Sequence, residues 1–423
     1  MEREGGVQPG DMNGALARYG LHMMSYASVA QAWGAEMAAD SVLTEKFSRI
    51  MSGLALPCSG GPAHDAGNVS DGYIPCFFHS DQLTFKPRYE WAFGERIDHP
   101  ETTARAEGIL AALEKDGSTY DLRRPDALPE TTITALHDQR LLTLYKAAKT
   151  DLRRGHTYYP TVFMHGEGIE SDPSNIAHAG SYCFDSGTPL SRETWNAALW
   201  SASCAVAAAE QVMHGEQSIA YALSRPPGHH ATRSSFGGYC YLANGALAAQ
   251  HLAAEGARVA IVDIDVHHGN GPQSIFWNDP QVLTISIHHD PTHFFPYLTG
   301  FINETGGPAA KNCNVNVPLE EKTDGQAYEN ALDRFVFPRL EAFDPDFIVL
   351  AAGVDTYERD PMGDFSLTTE DLHRVGERVG NFGRPVTAVQ EGGYYTPHIG
   401  RNVTAVLSGV LEGYRHAKGR GDK

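Results

Sequence analysis

The apolar positions of this 423-residue chain follow two recurring patterns. Short apolar runs of strand length lie at residues 220–223, 259–264, 282–287, 347–352 and 386–389. Stretches with apolar residues at helical spacing occupy 99–117, 192–215, 244–255, 328–343 and 369–380. Such runs predict strands covered on both faces. Their alternation with helices predicts an α/β fold on a largely parallel central sheet. The first helix ends on Gly117, and Ser191 is placed to cap the Ala-rich helix that follows it. Residues 1–72 break the rhythm. A weak helical stretch at 19–51 gives way to SGLALPCSGGPAHDAGNVSDG, whose Gly, Ser, Pro and Asp read as a linker. The expected organisation is an N-terminal appendage over 1–72, poorly ordered, and one large domain over 73–423. No internal repeat is present.

Four of the predicted strands run straight into unusual polar segments. SRPPGHHA follows 220–223, DIDVHHGNG continues 259–264, GVDTYERDP follows 347–352 and QEGGYY follows 386–389. Open parallel sheets bind ligands beyond the carboxyl ends of their strands, so these segments predict one composite site. In an extended stretch, Asp263, Asp265 and His267 share a face. A carboxylate and an imidazole two residues apart can grip a divalent cation, and Asp355 at another strand end offers a further ligand. Oxygen and nitrogen ligands with an open position belong to catalytic sites rather than closed, thiolate-rich structural ones. A lone pair of this kind would read as helix caps or buried ion pairs; Gly-flanked partners at neighbouring strand ends favour the metal. His229 and His230 follow a stiff Pro-Pro-Gly turn. Near a metal-bound water, two imidazoles can divide general-base and electrostatic roles, with Asp263 and Asn270 behind them to fix their tautomers. His288 and His289 read instead as loop or wall residues. Tyr394 follows Gly392 and Gly393, which would let its phenol swing over a substrate and donate to a developing oxyanion.

Composition changes the picture little. Hydrophobic residues make up 42% and charged residues 20%, as in ordinary soluble enzymes. The 52 acidic against 33 basic residues give a net charge of −19, which argues against a nucleic-acid partner. The charge suits a small cationic molecule or a Lys-bearing peptide, and more simply keeps a cytoplasmic protein soluble. No run approaches the ~18–20 apolar residues of a membrane span, and the polar start MEREGGVQPGDMNG is unlike a signal peptide. Six scattered cysteines without a C-x-x-C pair suggest reduced thiols.

RPPGHHA, DIDVHHGNG, FGGYCYLAN, GVDTYERDP and EGGYY, in order and spacing from about Phe77 onward, resemble the signature blocks of the histone deacetylase family. The pattern is most similar to its bacterial acetylpolyamine amidohydrolases and class II-like deacetylase-like amidohydrolases. The resemblance implies an arginase/deacetylase fold, with about eight mostly parallel strands flanked by helices on both faces, and zinc-dependent hydrolysis of an N-acetyl or other acyl amide. By the same resemblance Asp265, His267 and Asp355 match the zinc ligands, and His230 the general base and acid. His229, backed by Asp263, matches the partner histidine, Asn270 the group behind His230, and Tyr394 the residue that polarises the carbonyl. Tyr239 and Phe295, with Gly238 beside them, match the walls of the acyl-lysine channel. Asp263, Asp265, His267 and Ser286 match a monovalent-cation site, expected to hold potassium. Arg105 resembles an arginine near an internal cavity.

Polyamine-type members carry acidic residues near the channel mouth. Here the segment after Asp360-Pro361 opens with the apolar Met362, taken as a substrate-binding position, and the loop 167–185 offers Glu170, Asp172 and Asp185 without a place at the rim. The expected ligand is therefore a small cationic acylated amine or an acyl-lysine peptide, with neither nucleic acid nor membrane; an assembly of identical chains is left open. Two other readings stand beside this one. An arginase-type ureohydrolase with two manganese ions needs D-x-H-x-D and D-x-D-x-x-D patterns, but Gly269 and Tyr357 occupy positions where carboxylates are required. A non-catalytic acyl-ligand sensor would be separated by a turnover assay.

Overall fold

The five apolar runs assemble with three further segments into one sheet of eight strands, all parallel. In chain order these are β1 (Ile74–Phe77), β2 (Tyr120–Arg123), β3 (Ile219–Ala222), β4 (Val259–Asp263), β5 (Val282–His289), β6 (Asn314–Leu319), β7 (Phe347–Ala352) and β8 (Val386–Gln390). Their order across the sheet is β6-β5-β4-β7-β8-β3-β1-β2. The computed structural model describes residues 72–92, 94–162, 171–214 and 217–421. Apart from Gly72, the expected appendage with its helix at 19–51 lies outside the described residues, as do Cys58, Glu167 and Glu170.

The helices that bear on the site are α1 (Thr103–Lys115), α2 (Thr194–His214), α3 (Asn244–Ala254), α4 (Asn270–Phe276), α5 (Thr369–Asn381) and α6 (Ile399–Gly421); Glu130–Thr134, Gln139–Asp151, Gly325–Ala331 and Phe337–Phe343 are also helical. Along β4, Val259 and Ile261 join one apolar cluster with α2 and α3. The intervening Ala260 and Val262 are just as buried, so both faces of the sheet are covered. A second group, α1, α5 and α6, packs together and reaches β3. No described helix is long and apolar enough to cross a membrane.

Three expectations differ in detail. The Ala-rich helix starts at Thr194, and Ser191 ends a short strand, its hydroxyl accepting from the Glu193 N–H at 3.1 Å. The predicted helix over 328–343 is interrupted by a wide turn at Leu332–Val336, directly ahead of Pro338. Proline has no N–H to donate and its ring crowds the carbonyl four residues back, and widening the turn relieves both. His288 and His289 are not loop residues: both lie buried at the end of β5.

Candidate active site

The strands carrying the four polar segments are neighbours, β4-β7-β8-β3, so their carboxyl ends meet at one place. β4 stops at Asp263, and Asp265 and His267 lie in the turn beyond it rather than on an extended face. Side-chain bonds to backbone set their positions. Asp263 Oδ1 accepts from the Asp265 N–H at 3.1 Å, and Asp265 Oδ1 from the His267 N–H at 2.9 Å. Asp355 Oδ1, beyond β7, accepts from the Val266 N–H at 2.9 Å.

These bonds bring Asp265, His267 and Asp355 together, with one ligand atom from each within 4.8 Å of the others. His267 Nδ1 lies 3.0 Å from Asp265 Oδ1 and 3.2 Å from Asp355 Oδ2. Apart from this approach of His267, Asp355 Oδ2 is buried with no hydrogen-bond partner among the described residues, which is costly for a carboxylate oxygen. Burial and the neighbouring Asp265 charge push the Asp355 carboxyl up to about 7. Burial acts the same way on Asp265, but His229 and His267 outweigh it and hold that carboxyl well below its usual range. Two buried carboxylates and one imidazole converging around an orphaned oxygen fit a divalent cation. Space around them is kept by glycine: a Cβ on Gly353 would strike Asp265, and one on Gly392 would strike Asp265 and Asp355. Gly392→Ala is therefore expected to spread the carboxylates and to lower the metal retained after dialysis. Full retention would show that the cradle relaxes around a methyl group.

The histidine pair sits beside this cluster. His229 Nδ1 lies 2.9 Å from Asp263 Oδ2, and its Nε2 lies 3.8 Å from Asp265 Oδ1. His230 Nδ1 lies 2.7 Å from Asn270 Oδ1, and the two imidazole rings are 4.0 Å apart. Burial lowers both rings' basicity, yet they end on opposite sides of their usual value. For His229 the Asp265 and Asp263 carboxylates outweigh burial and raise it well above. For His230, burial is joined by the charges of His229 and His267, which push it well below. The two environments thus favour the charged form of His229 and the neutral form of His230. A hydrogen bond to a charged partner of this kind contributes ~1.5–3 kcal/mol.

The glycines before Tyr394 form no free hinge. Gly392 N–H donates to Asp265 Oδ2 at 2.7 Å, Arg105 Nε donates to the Gly393 carbonyl at 2.5 Å, and Tyr394 N–H donates to Asp360 Oδ2 at 2.6 Å. The Arg105 guanidinium, itself paired with Glu101 at 2.9 Å, lies 4.6 Å from the centre of the Tyr394 ring. Burial raises the phenol well above its usual pKa, so it stays protonated and able to donate.

Tyr239 and Phe295 bracket these groups. Phe295 stands edge-on to His230 with ring centres 5.0 Å apart, and Tyr239 packs at 6.0 Å from Tyr394. Tyr239 adopts a left-handed backbone, φ 64°, which places its hydroxyl 2.6 Å from Glu90 Oε2. Gly238 has φ 55°, and a Cβ there would strike the His230 ring. Asp185 is half-buried beside this wall and accepts from the Gly238, Gly187 and Thr188 N–H groups. Met362 is tied in through its backbone, its N–H donating to Asp360 Oδ1 at 3.0 Å. Ser286 pairs in register with Asp263 across β4 and β5, and its hydroxyl accepts from the Gly269 N–H at 3.2 Å. Gly269 offers no room for the further carboxylate of a two-manganese site, because Asp263 fills its Cβ position.

Comparison with known proteins agrees with this arrangement. The Histone deacetylase domain family matches residues 99–410. The chain is 36% identical over 338 residues to the acetylpolyamine amidohydrolase of Burkholderia pseudomallei, covering 79% of this chain and 97% of that protein. It is 36% identical over 250 residues to the histone deacetylase-like amidohydrolase of Pseudomonas aeruginosa, covering 57% of this chain and 65% of that protein. A crystal structure of the acetylpolyamine aminohydrolase from Burkholderia pseudomallei superimposes with a TM-score of 0.75 at 36% identity, covering 80% of this chain and 98% of that one. The HD domain of HDA15 superimposes with a TM-score of 0.68 at 28% identity, covering 81% and 89%. This chain has the arginase/deacetylase fold and belongs to the histone deacetylase family of hydrolytic enzymes.

Proposed function

We propose that the protein hydrolyses the N-acetyl amide of a linear amine with one zinc ion held by Asp265, His267 and Asp355. The observation that carries this reading is the buried two-carboxylate, one-imidazole cluster with the His229–Asp263 and His230–Asn270 pairs beside it. Bound there, zinc supplies Lewis-acid polarisation of the amide carbonyl and a more acidic water. His230, neutral and fixed by Asn270 at Nδ1, accepts the water proton at Nε2 and returns it to the leaving amine. His229, kept charged by Asp263, adds positive charge beside the attacking oxygen. The Tyr394 hydroxyl donates to the carbonyl oxygen as its charge grows. Tyr239 and Phe295 face the methylenes of a slim substrate and keep water out. Asp263, Asp265, His267 and Ser286 would hold a potassium ion behind the site.

Among linear amines, a free acetylpolyamine is supported by the names of the most similar relatives and by the net charge of −19, which draws cations. An acetyl-lysine peptide is the second reading, favoured by the apolar Met362 where an acidic residue would hold a distant ammonium. The catalytic domain in this account is 73–423, with Met362 near its substrate-binding side. Five described cysteines are buried, and reading them as reduced thiols suits a reducing, cytoplasmic setting.

Tyr394→Phe tests the reading. The hydroxyl acts on a charge that exists only in the transition state, so kcat should fall roughly 10²–10³-fold with KM nearly unchanged. A large rise in KM at constant kcat would make Tyr394 a binding group instead. Turnover should also stop on chelation and return with added zinc.

A further inference from the structure

Two backbone N–H groups of the loop that carries both histidines end on one buried carboxylate oxygen. Gly228 and His229 donate to Glu391 Oε2 at 2.6 and 3.0 Å. Glu391 has no exposed surface and lies just beyond β8, three residues before Tyr394. Its own backbone is held from the opposite side, the carbonyl accepting from Arg105 Nη2 at 2.5 Å. The next amide, Gly392 N–H, donates to Asp265 Oδ2. One side chain thus ties the loop after β3 to the loop after β8, and the latter directly to a carboxylate of the candidate metal cluster. On its far side Gly228 packs against the Leu242 carbonyl and the Asn244 N–H, with no room for a Cβ. The loop is clamped between these groups and Glu391. Glu391 Oε1 accepts no hydrogen bond from the described residues, so the side chain acts through its other oxygen alone.

We infer that Glu391 is a positioning residue: it fixes the Gly228–His229 backbone, and through it the His229 and His230 rings, relative to the metal carboxylates and Tyr394. This rests on the deacetylase reading above. An ionised acceptor makes stronger bonds to N–H groups than a neutral one, but the length of the side chain decides whether it reaches them. Aspartate keeps the charge and draws the oxygen back by about 1.5 Å, one carbon–carbon bond, beyond hydrogen-bond range. Glutamine loses the charge and keeps an acceptor oxygen in place.

The test compares E391D and E391Q in the full chain, each zinc-loaded and checked for metal content. E391D should lose roughly 10²-fold in kcat, the scale of an ångström-sized misplacement, with KM within about threefold. E391Q should stay within about tenfold of the wild type. Amide hydrogen exchange gives a second readout that needs no turnover: the His229 N–H should exchange faster in E391D and stay protected in E391Q. Wild-type kcat and a protected amide in E391D would overturn the inference. So would an E391Q that loses as much kcat as E391D, and that variant, filling the same volume, decides alone should E391D not fold. If the wild type released no acetate from any acetylated amine, the deacetylase reading would fail, while the exchange data would still decide whether Glu391 holds the loop.

Discussion

His230→Ala should lower kcat by at least roughly 10³-fold, about 4 kcal/mol of transition-state stabilisation, while zinc stays bound. The reason lies in the separation of roles. His230 is not among the metal-cluster residues, and its Nδ1 is spent on Asn270, 2.7 Å away, which leaves Nε2 free for the proton. Removing the ring takes away the proton acceptor and the later donor together. His229 is held differently, its Nδ1 against Asp263 Oδ2 at 2.9 Å, where the neighbouring carboxylates favour the charged ring over a proton acceptor. Kinetics paired with elemental analysis checks both halves of the expectation. Near-wild-type turnover would remove His230 from the reaction. Low turnover with lost zinc would make it a ligand or a structural group.

Asp355→Ala should remove the metal and with it all turnover above background. Its Oδ1 is occupied by the Val266 N–H, so Oδ2, which has no hydrogen-bond partner among the described residues, is the atom available to a cation. Without Asp355 the cluster keeps one carboxylate and one imidazole, too few to hold zinc against dialysis. The variant should fold. It deletes a buried anion whose removal also relieves repulsion against Asp265, and the neighbouring Gly363 lies against the Asp355 backbone rather than its side chain. Metal content per chain, with a thermal melt as control, is the measurement. Full zinc occupancy would exclude Asp355 from the ligand set.

The sequence exposes the centre of this fold far better than its edges. β4, β5, β7 and β8 stand out as mostly apolar runs because helices cover both faces of the sheet there. β1 carries Pro75, and β2 alternates polar residues at the sheet edge. β6, at the other edge, reads Asn-Val-Asn-Val-Pro-Leu. Edge strands with prolines and polar residues look like loops to any local pattern. The site divides the same way. Asp263, Asp265, His267, His229, His230 and Asp355 stand in conspicuous segments at strand ends, and the fold gathers those ends. The roles of Glu391, Asp360 and Asp185 escaped, although each lies in or beside a segment that drew attention. Each has a backbone N–H partner distant in sequence, 163 residues away for Glu391, 53 for Asp185 and 34 for Asp360. No spacing within a motif encodes such a contact. The expected free swing of Tyr394 fails for the same reason: two glycines signal conformational freedom, and the bonds that remove it come from Asp265, Arg105 and Asp360 elsewhere in the chain.

The account stands most directly on acetate release by the purified, zinc-loaded full chain. The substrates are N-acetylputrescine, N-acetylcadaverine, N-acetylspermidine and an acetyl-lysine peptide, with Tyr394→Phe and a chelated sample as controls. The account predicts metal-dependent release, fastest from the free acetylpolyamines and strongly reduced in both controls. No release from any of the four, or release that survives both chelation and Tyr394→Phe, would contradict it.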